Sequence, residues 1–278
     1  MNVEYQKTKS LFPSAFIIRC WTFIFFSFDV GRSSVIIMID IHAHILPGLD
    51  DGPATTADAL EMARMAVEDG IRIIIAAPHC LNGIFNNYRE GVMSACSEFN
   101  LILEKEHIPL EVLPGSEVHL GLEILDDLES DRLMTLNDTG RYFFLELPDQ
   151  FIPRTLVGFI ARLEKMNVTP IIAHPERNMA IQRNTTLLED LISAGALSQI
   201  TARSLTGGFG TPALRCCLRI IELNLVHFMA SDAHSPGMRP PVLSKAVEKL
   251  SALTGRTEAE RMVLEGPMMV IEGREPEP

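Results

Sequence analysis

Short, nearly uniform apolar runs alternate along the chain with longer stretches whose apolar positions recur every three or four residues. The runs at 35–41, 71–76, 110–113, 142–147, 168–173, 197–201 and 225–230 are short and mostly apolar, which predicts strands, and the first is β-branched and bounded by Pro and Gly. Between them, 55–69, 87–106, 153–166, 185–194, 211–223, 241–252 and 256–265 carry helical periodicity. Thr55 and Asp58 form a capping-box-like start for the first helix, and Gly70 marks its end. Strands apolar on both faces, each separated from the next by a helix, imply a parallel sheet covered on both sides. An open doubly wound sheet and a closed barrel both fit that pattern.

The polar residues favour the barrel. They gather just after the ends of many different strands, where barrel enzymes assemble their sites. The expected fold is therefore α/β, a distorted (β/α)7-type barrel in a single domain over 38–278. Residues 1–37 differ in character: 11–28 is rich in Phe and Ile but is broken by Arg19. A signal anchor is one reading of this segment. The favoured reading is a start-site artefact, translation beginning at Met38, with the segment loosely attached and poorly ordered.

The most informative stretch is Asp40-Ile-His-Ala-His-Ile-Leu-Pro-Gly-Leu-Asp-Asp-Gly-Pro53. His42 and His44 alternate with an apolar residue and so share one face of a strand. Asp50 or Asp51 follows, and later strand ends supply His79, Glu117, Glu146, His174, Asp232 and His234. Imidazole and carboxylate ligands without ligand-spaced cysteines suit Mn²⁺, Zn²⁺ or Fe²⁺. Nine such residues exceed the needs of one ion, which points to a cluster of two or three. Clustered divalent ions lower the pKa of a shared water and clamp the oxygens of an in-line displacement, the requirements of phosphoester hydrolysis. Arg177 and Arg239 lie close in sequence to His174 and His234, and guanidinium groups bind phosphoryl oxygens in bidentate fashion. His107, His119 and His227 lack such company and read as structural.

A net charge of −12 argues against nucleic acid as a partner, because phosphate backbones need a basic face. The five cysteines form no C-x-x-C pair, which fits a reducing, cytoplasmic setting. None is followed by Arg at the spacing of a cysteine-dependent phosphatase, and there is no G-x-x-x-x-G-K-[ST] loop. No membrane insertion is expected of the domain.

With these residues in view, the sequence resembles the PHP superfamily, and within it the CpsB/YwqE-type bacterial protein-tyrosine phosphatases. The matching stretches are 40–53, A-P-H-C-L-N-G-I-F-N-N (77–87), G-S-E-V (115–118), L-E-L-P (145–148), A-H-P-E-R-N (173–178), Q-I-T-A-R-S-L-T-G-G-F-G (199–210) and A-S-D-A-H-S (230–235) with R-P-P (239–241). The resemblance implies three divalent metals, usually manganese. By motif, the first would take His42, His44, Glu117 and Asp232; the second Glu117, Glu146 and His174; the third Asp51, His79 and His234. It also implies that Arg177 and Arg239 grip phosphate, and that the substrate is phosphotyrosine on the tail of a bacterial tyrosine autokinase controlling capsule or exopolysaccharide export. Cys80, Phe85 and Arg203 depart from the family pattern at the rim of the pocket. The alternatives are a small-molecule phosphatase with a histidinol-phosphate-like substrate, or a non-catalytic module that binds the kinase.

Overall fold

The computed structural model describes residues 37–275, so the expectations for the N-terminal extension, all but its last residue, lie outside the described residues. Nine short parallel strands are present there: β1 (Met38–Ala43), β2 (Ile71–Ala76), β3 (His79–Cys80), β4 (Glu111–Pro114), β5 (Glu117–His119), β6 (Tyr142–Glu146), β7 (Thr169–Ala173), β8 (Leu197–Thr201) and β9 (Phe228–Ala230). They fall into two sheets, β1-β2-β4 and β3-β5-β6-β7-β8-β9. β2 runs on into β3, and β4 into β5, so the nine are seven staves with two of them broken. The ring closes where Ala43 bridges Ala233, with His44 N–H donating to Ala233 O and Asp232 N–H to His42 O. This is the distorted seven-stranded β/α barrel expected.

The breaks have local causes. Pro78 has no N–H for the ladder, and its carbonyl instead accepts from Glu117 N. At Gly115 a Cβ would fall 2.6 Å from Ile75 Cγ2, 2.8 Å from Leu136 Cδ2 and 2.9 Å from Ala76 O. Only glycine lets β4 pass this close to β2 before turning into β5. The shift between sheets turns His79 and Glu117 into register opposite one another.

Alternate strand residues (Ile39/Ile41, Ile73/Ile75, Tyr142/Phe144, Ile171/Ala173, Phe228/Ala230) form one buried cluster, the barrel interior. The intervening set, such as Ile74, Phe143, Ile172 and Met229, is also fully buried under the helices, which explains why the strands read as continuous apolar runs.

Helix Thr56–Asp69 starts at the expected cap, Thr55 Oγ1 accepting from Asp58 N. The expected 241–252 helix begins instead at Ser244, after Pro240-Pro241, and its entry is held by Asp69, which accepts from Leu243 N and Ser244 N. At the C-terminus the helix continues past Glu265 through a π-turn (Arg261–Glu265) into Gly266–Ile271. Gly266 and Pro267 look like breakers in sequence. Proline at the first turn of a new helical segment leaves no required donor missing, and the glycine lets the backbone approach Phe228. Val270 and Ile271 join the interior cluster. Among the described residues no helix is long and apolar enough to cross a membrane.

Candidate metal centre

The ends of β1, β3, β5, β6, β7 and β9 converge on one side of the barrel. His42 and His44 are fully buried, as are Glu117 and Asp232. His42 Nε2 lies 3.5 Å from Glu117 Oε2 and 3.8 Å from Asp232 Oδ1; His44 Nε2 lies 3.4 and 3.5 Å from the same two oxygens. None of these four atoms has a hydrogen-bond partner. Orphaned buried nitrogens and oxygens this close together are costly unless something shared sits among them. A divalent cation fits that requirement.

A second group surrounds it. His79 Nδ1 is 3.1 Å from Glu117 Oε2 and 3.8 Å from Glu146 Oε2. His79 Nε2 and His234 Nε2 are each 3.4 Å from Asp51 Oδ1, and His44, Asp51, His79 and His234 form a further set able to surround an ion. His174 Nε2 meets Glu117 Oε1 at 2.7 Å. Glu117 therefore faces four of the histidines, His42, His44, His79 and His174, through one oxygen or the other. All nine residues singled out in the sequence gather here. In detail, His79 closes on Glu117 and Glu146, while His174, grouped with those two by motif, meets Glu117 through its other oxygen.

Outer contacts orient these side chains. Asp50 and Asp51, left open by spacing alone, do different work. Asp50 binds the outer side of the histidines: its Oδ2 accepts from His44 Nδ1 at 2.6 Å and from His79 N at 3.0 Å, and its Oδ1 accepts from Gly52 N. A Cβ at Gly52 would lie 2.6 Å from His44 O, so glycine is needed for the loop to fold back this tightly. Gln199 Oε1 holds His42 Nδ1 at 2.9 Å. Such partners set the ring tautomer and aim the other nitrogen inward. His174 (φ 34°) and Asp232 (φ 53°) sit in the left-handed region at the ends of β7 and β9. That backbone costs on the order of 1–3 kcal/mol per residue and occurs where surroundings force it, commonly at functional sites.

The electrostatics match a cation site. Burial opposes the charge on Glu117, but His42 and His174 outweigh it and hold its carboxyl well below the ordinary range. Burial also opposes a charged His44, yet Asp50, Asp232 and Glu117 raise it well above an ordinary imidazole. For both groups the opposite charges around them outweigh burial.

Arg177 and Arg239 both donate to Asp232 Oδ2, Arg177 at 2.6 Å, while Oδ1 faces the histidines. Both guanidinium groups also lie over the Phe209 ring, 4.8 and 5.6 Å from its centroid. Beside them a cleft of about 480 Å³ is lined by Asp51, Pro53, His234, Met238 and Arg239.

Several supporting residues were not anticipated. Gln199, Asp50 as orienter, and Phe209 lack any distinctive spacing. Glu176 is fully buried; its Oε1 accepts from Thr201 N and Oγ1, tying the His174–Arg177 turn to the end of β8. His119, read as structural, places Nδ1 3.3 Å from Glu146 Oε2 and so touches the site's edge. The structural reading suits His227, which accepts from Ser198 N.

Residues 38–272 match the family model for capsular polysaccharide synthesis proteins CpsB/CapC. The chain is 48% identical over 198 residues to the tyrosine-protein phosphatase YwqE of Bacillus subtilis, covering 71% of this chain and 78% of that one. It is 28% identical over 239 residues to the tyrosine-protein phosphatase CpsB of Streptococcus agalactiae, covering 84% and 98%. A solved chain from work on YwqE of B. subtilis and CpsB of Streptococcus pneumoniae, described as unique metal-dependent tyrosine phosphatases, superposes with a TM-score of 0.82 at 43% identity, covering 86% and 96%. A Listeria monocytogenes lactonase (TM-score 0.54, 9% identity, covering 87% and 96%) shares the barrel fold alone.

Proposed function

Since the chain belongs to the CpsB/CapC family, we propose that it is a metal-dependent protein-tyrosine phosphatase acting on a phosphotyrosine side chain of a bacterial tyrosine autokinase in capsule or exopolysaccharide synthesis. The observation that carries the reading is the set of orphaned, inward-facing atoms on His42, His44, Glu117 and Asp232, beside two arginines on one carboxylate. Three divalent ions, manganese foremost with Fe²⁺ or Zn²⁺ as alternatives, are proposed to be held by His42, His44, Asp51, His79, Glu117, Glu146, His174, Asp232 and His234. Such ions, when bound, supply an activated water and neutralise phosphoryl charge.

The protein's own groups do the rest. Asp232 divides its oxygens between the histidines and the two arginines, so phosphate recognition and metal binding share one residue. Arg177 and Arg239, both carried on short turns after strand ends, are placed to receive phosphoryl oxygens and to stabilise charge as it builds in the transition state. The phenyl ring of Phe209 beneath them holds the guanidinium planes in position. Phe85 lies nearly parallel to His79, ring centroids 6.4 Å apart, and offers an apolar face for the tyrosine ring at the rim. A phenolate is a good leaving group, so the reaction asks less of a general acid than alkyl phosphate hydrolysis. The free cysteines at 80, 96, 216 and 217 suit a reducing compartment, and the proposed location is cytoplasmic.

The test compares phosphate release from a phosphotyrosine peptide and from histidinol phosphate by manganese-loaded protein. Preference for the peptide is expected. Preference for the metabolite would replace this reading with that of a small-molecule phosphatase.

A further inference from the structure

A third arginine shares the Phe209 platform. Arg203, in the turn that follows β8, places its guanidinium carbon 5.5 Å from the ring centroid, on the same ring as Arg177 and Arg239. Those two are both committed to Asp232, whereas Arg203 has no carboxylate partner among the described residues. One buried carboxylate therefore serves two of the three guanidinium groups on this ring, and Arg203 is left without one.

Arg203 is also held in place. A Cβ at Gly208 would fall 2.6 Å from Arg203 Cγ and 3.0 Å from its Nε, so the side chain lies flat against a backbone that only glycine makes available. Arg203 O accepts from Gly208 N at 2.8 Å and from Thr206 Oγ1, which closes the turn around it. A half-buried guanidinium stacked on a ring and clamped along a glycine loses little entropy when it binds an anion.

We propose that Arg203 is a specificity-determining residue that binds the side-chain carboxylate of an Asp or Glu flanking the phosphotyrosine in the substrate; this rests on the phosphatase reading above. The guanidinium carbons of Arg203 and Arg177 are at most about 10 Å apart across the shared ring, roughly the span of three residues of extended chain. A carboxylate within three positions of the phosphotyrosine can therefore reach Arg203 while the phosphoryl group meets Arg177 and Arg239. Carboxylate geometry matches the planar guanidinium fork, which distinguishes this site from a diffuse basic patch.

The experiment measures kcat/KM of the full chain, manganese-loaded, on paired phosphotyrosine peptides that carry Glu or Gln two residues from the phosphotyrosine. The wild type is expected to prefer the Glu peptide about fivefold at low salt, a preference that shrinks as ionic strength rises. Arg203→Ala is expected to bring the ratio close to one, and Arg203→Glu to favour a Lys peptide over the Glu peptide. Turnover without any preference in the wild type would overturn the inference and leave the phosphatase reading standing. So would Arg203→Ala slowing both peptides equally, which would make Arg203 a phosphoryl contact instead. Absence of turnover on every peptide would overturn both.

Discussion

Asp50 and Asp51 are neighbours with opposite roles in this account, and that contrast can be tested directly. Asp50 Oδ2 accepts from His44 Nδ1 and His79 N, while Oδ1 accepts from Gly52 N, so three donors converge on one carboxylate. In Asp50→Asn the amide has one acceptor atom. Facing His44 and His79, it turns its NH₂ against the Gly52 N–H; reversed, it confronts the other two donors. Either way at least one bond and the charge are lost, and the ring of His44 is less firmly aimed. Loss of a partner that orients a ligand typically weakens metal binding by about 10–100-fold, or roughly 1.4–2.8 kcal/mol. Asp51 Oδ1 instead points at His79 Nε2 and His234 Nε2. Asp51→Ala should therefore lower the number of Mn²⁺ bound per chain by one. Titrating each metal-stripped variant with Mn²⁺ against a competing chelator reads both quantities. Asp50→Asn should retain the full stoichiometry with weaker affinity. The reverse pattern, with an ion lost in Asp50→Asn and none in Asp51→Ala, would refute the assignment.

Three further outcomes are expected. Arg177→Ala should keep the wild-type metal content but lower kcat by roughly 10²–10³-fold, the scale of losing one donor to transition-state charge; metal analysis beside steady-state kinetics checks this. Gly115→Ala should lower stability by about 1–3 kcal/mol, because Ile75 and Leu136 can shift away from a new methyl but the Ala76 carbonyl cannot; chemical denaturation measures it. Burial, aided by nearby Arg261, lowers His227 to about 4, so the native state favours the neutral ring. Its contribution is fully present above the unfolded pKa near 6.5 and is lost as pH falls from there towards 4, by on the order of 3 kcal/mol. The stability difference between wild type and His227→Asn should shrink across that window.

The barrel was legible because its signals are local. Each strand is buried on both faces and each helix shows its own period, so the β/α order can be read one segment at a time. The breaks were less visible. Pro78 and Gly115 each announce a turn, but that the turns pair β3 with β5, aligning His79 with Glu117, depends on packing across the barrel. The ligand-type residues stood out because His, Asp and Glu are conspicuous at the ends of apolar strands. Gln199 and Glu176 did not, since their meaning lies in partners, His42 and the Thr201 backbone, that are distant in the chain. The final helix was missed for a different reason: Gly266-Pro267 is a breaker by local rule, and only the contact with Phe228 shows why the chain runs on.

The most direct test is phosphate release from a phosphotyrosine peptide by the full chain, followed through chelation and readdition of manganese. The account predicts release that chelator abolishes and Mn²⁺ restores, and that is lost together with bound metal in His42→Ala and Asp232→Ala. Undiminished release from protein shown to be free of metal would contradict it.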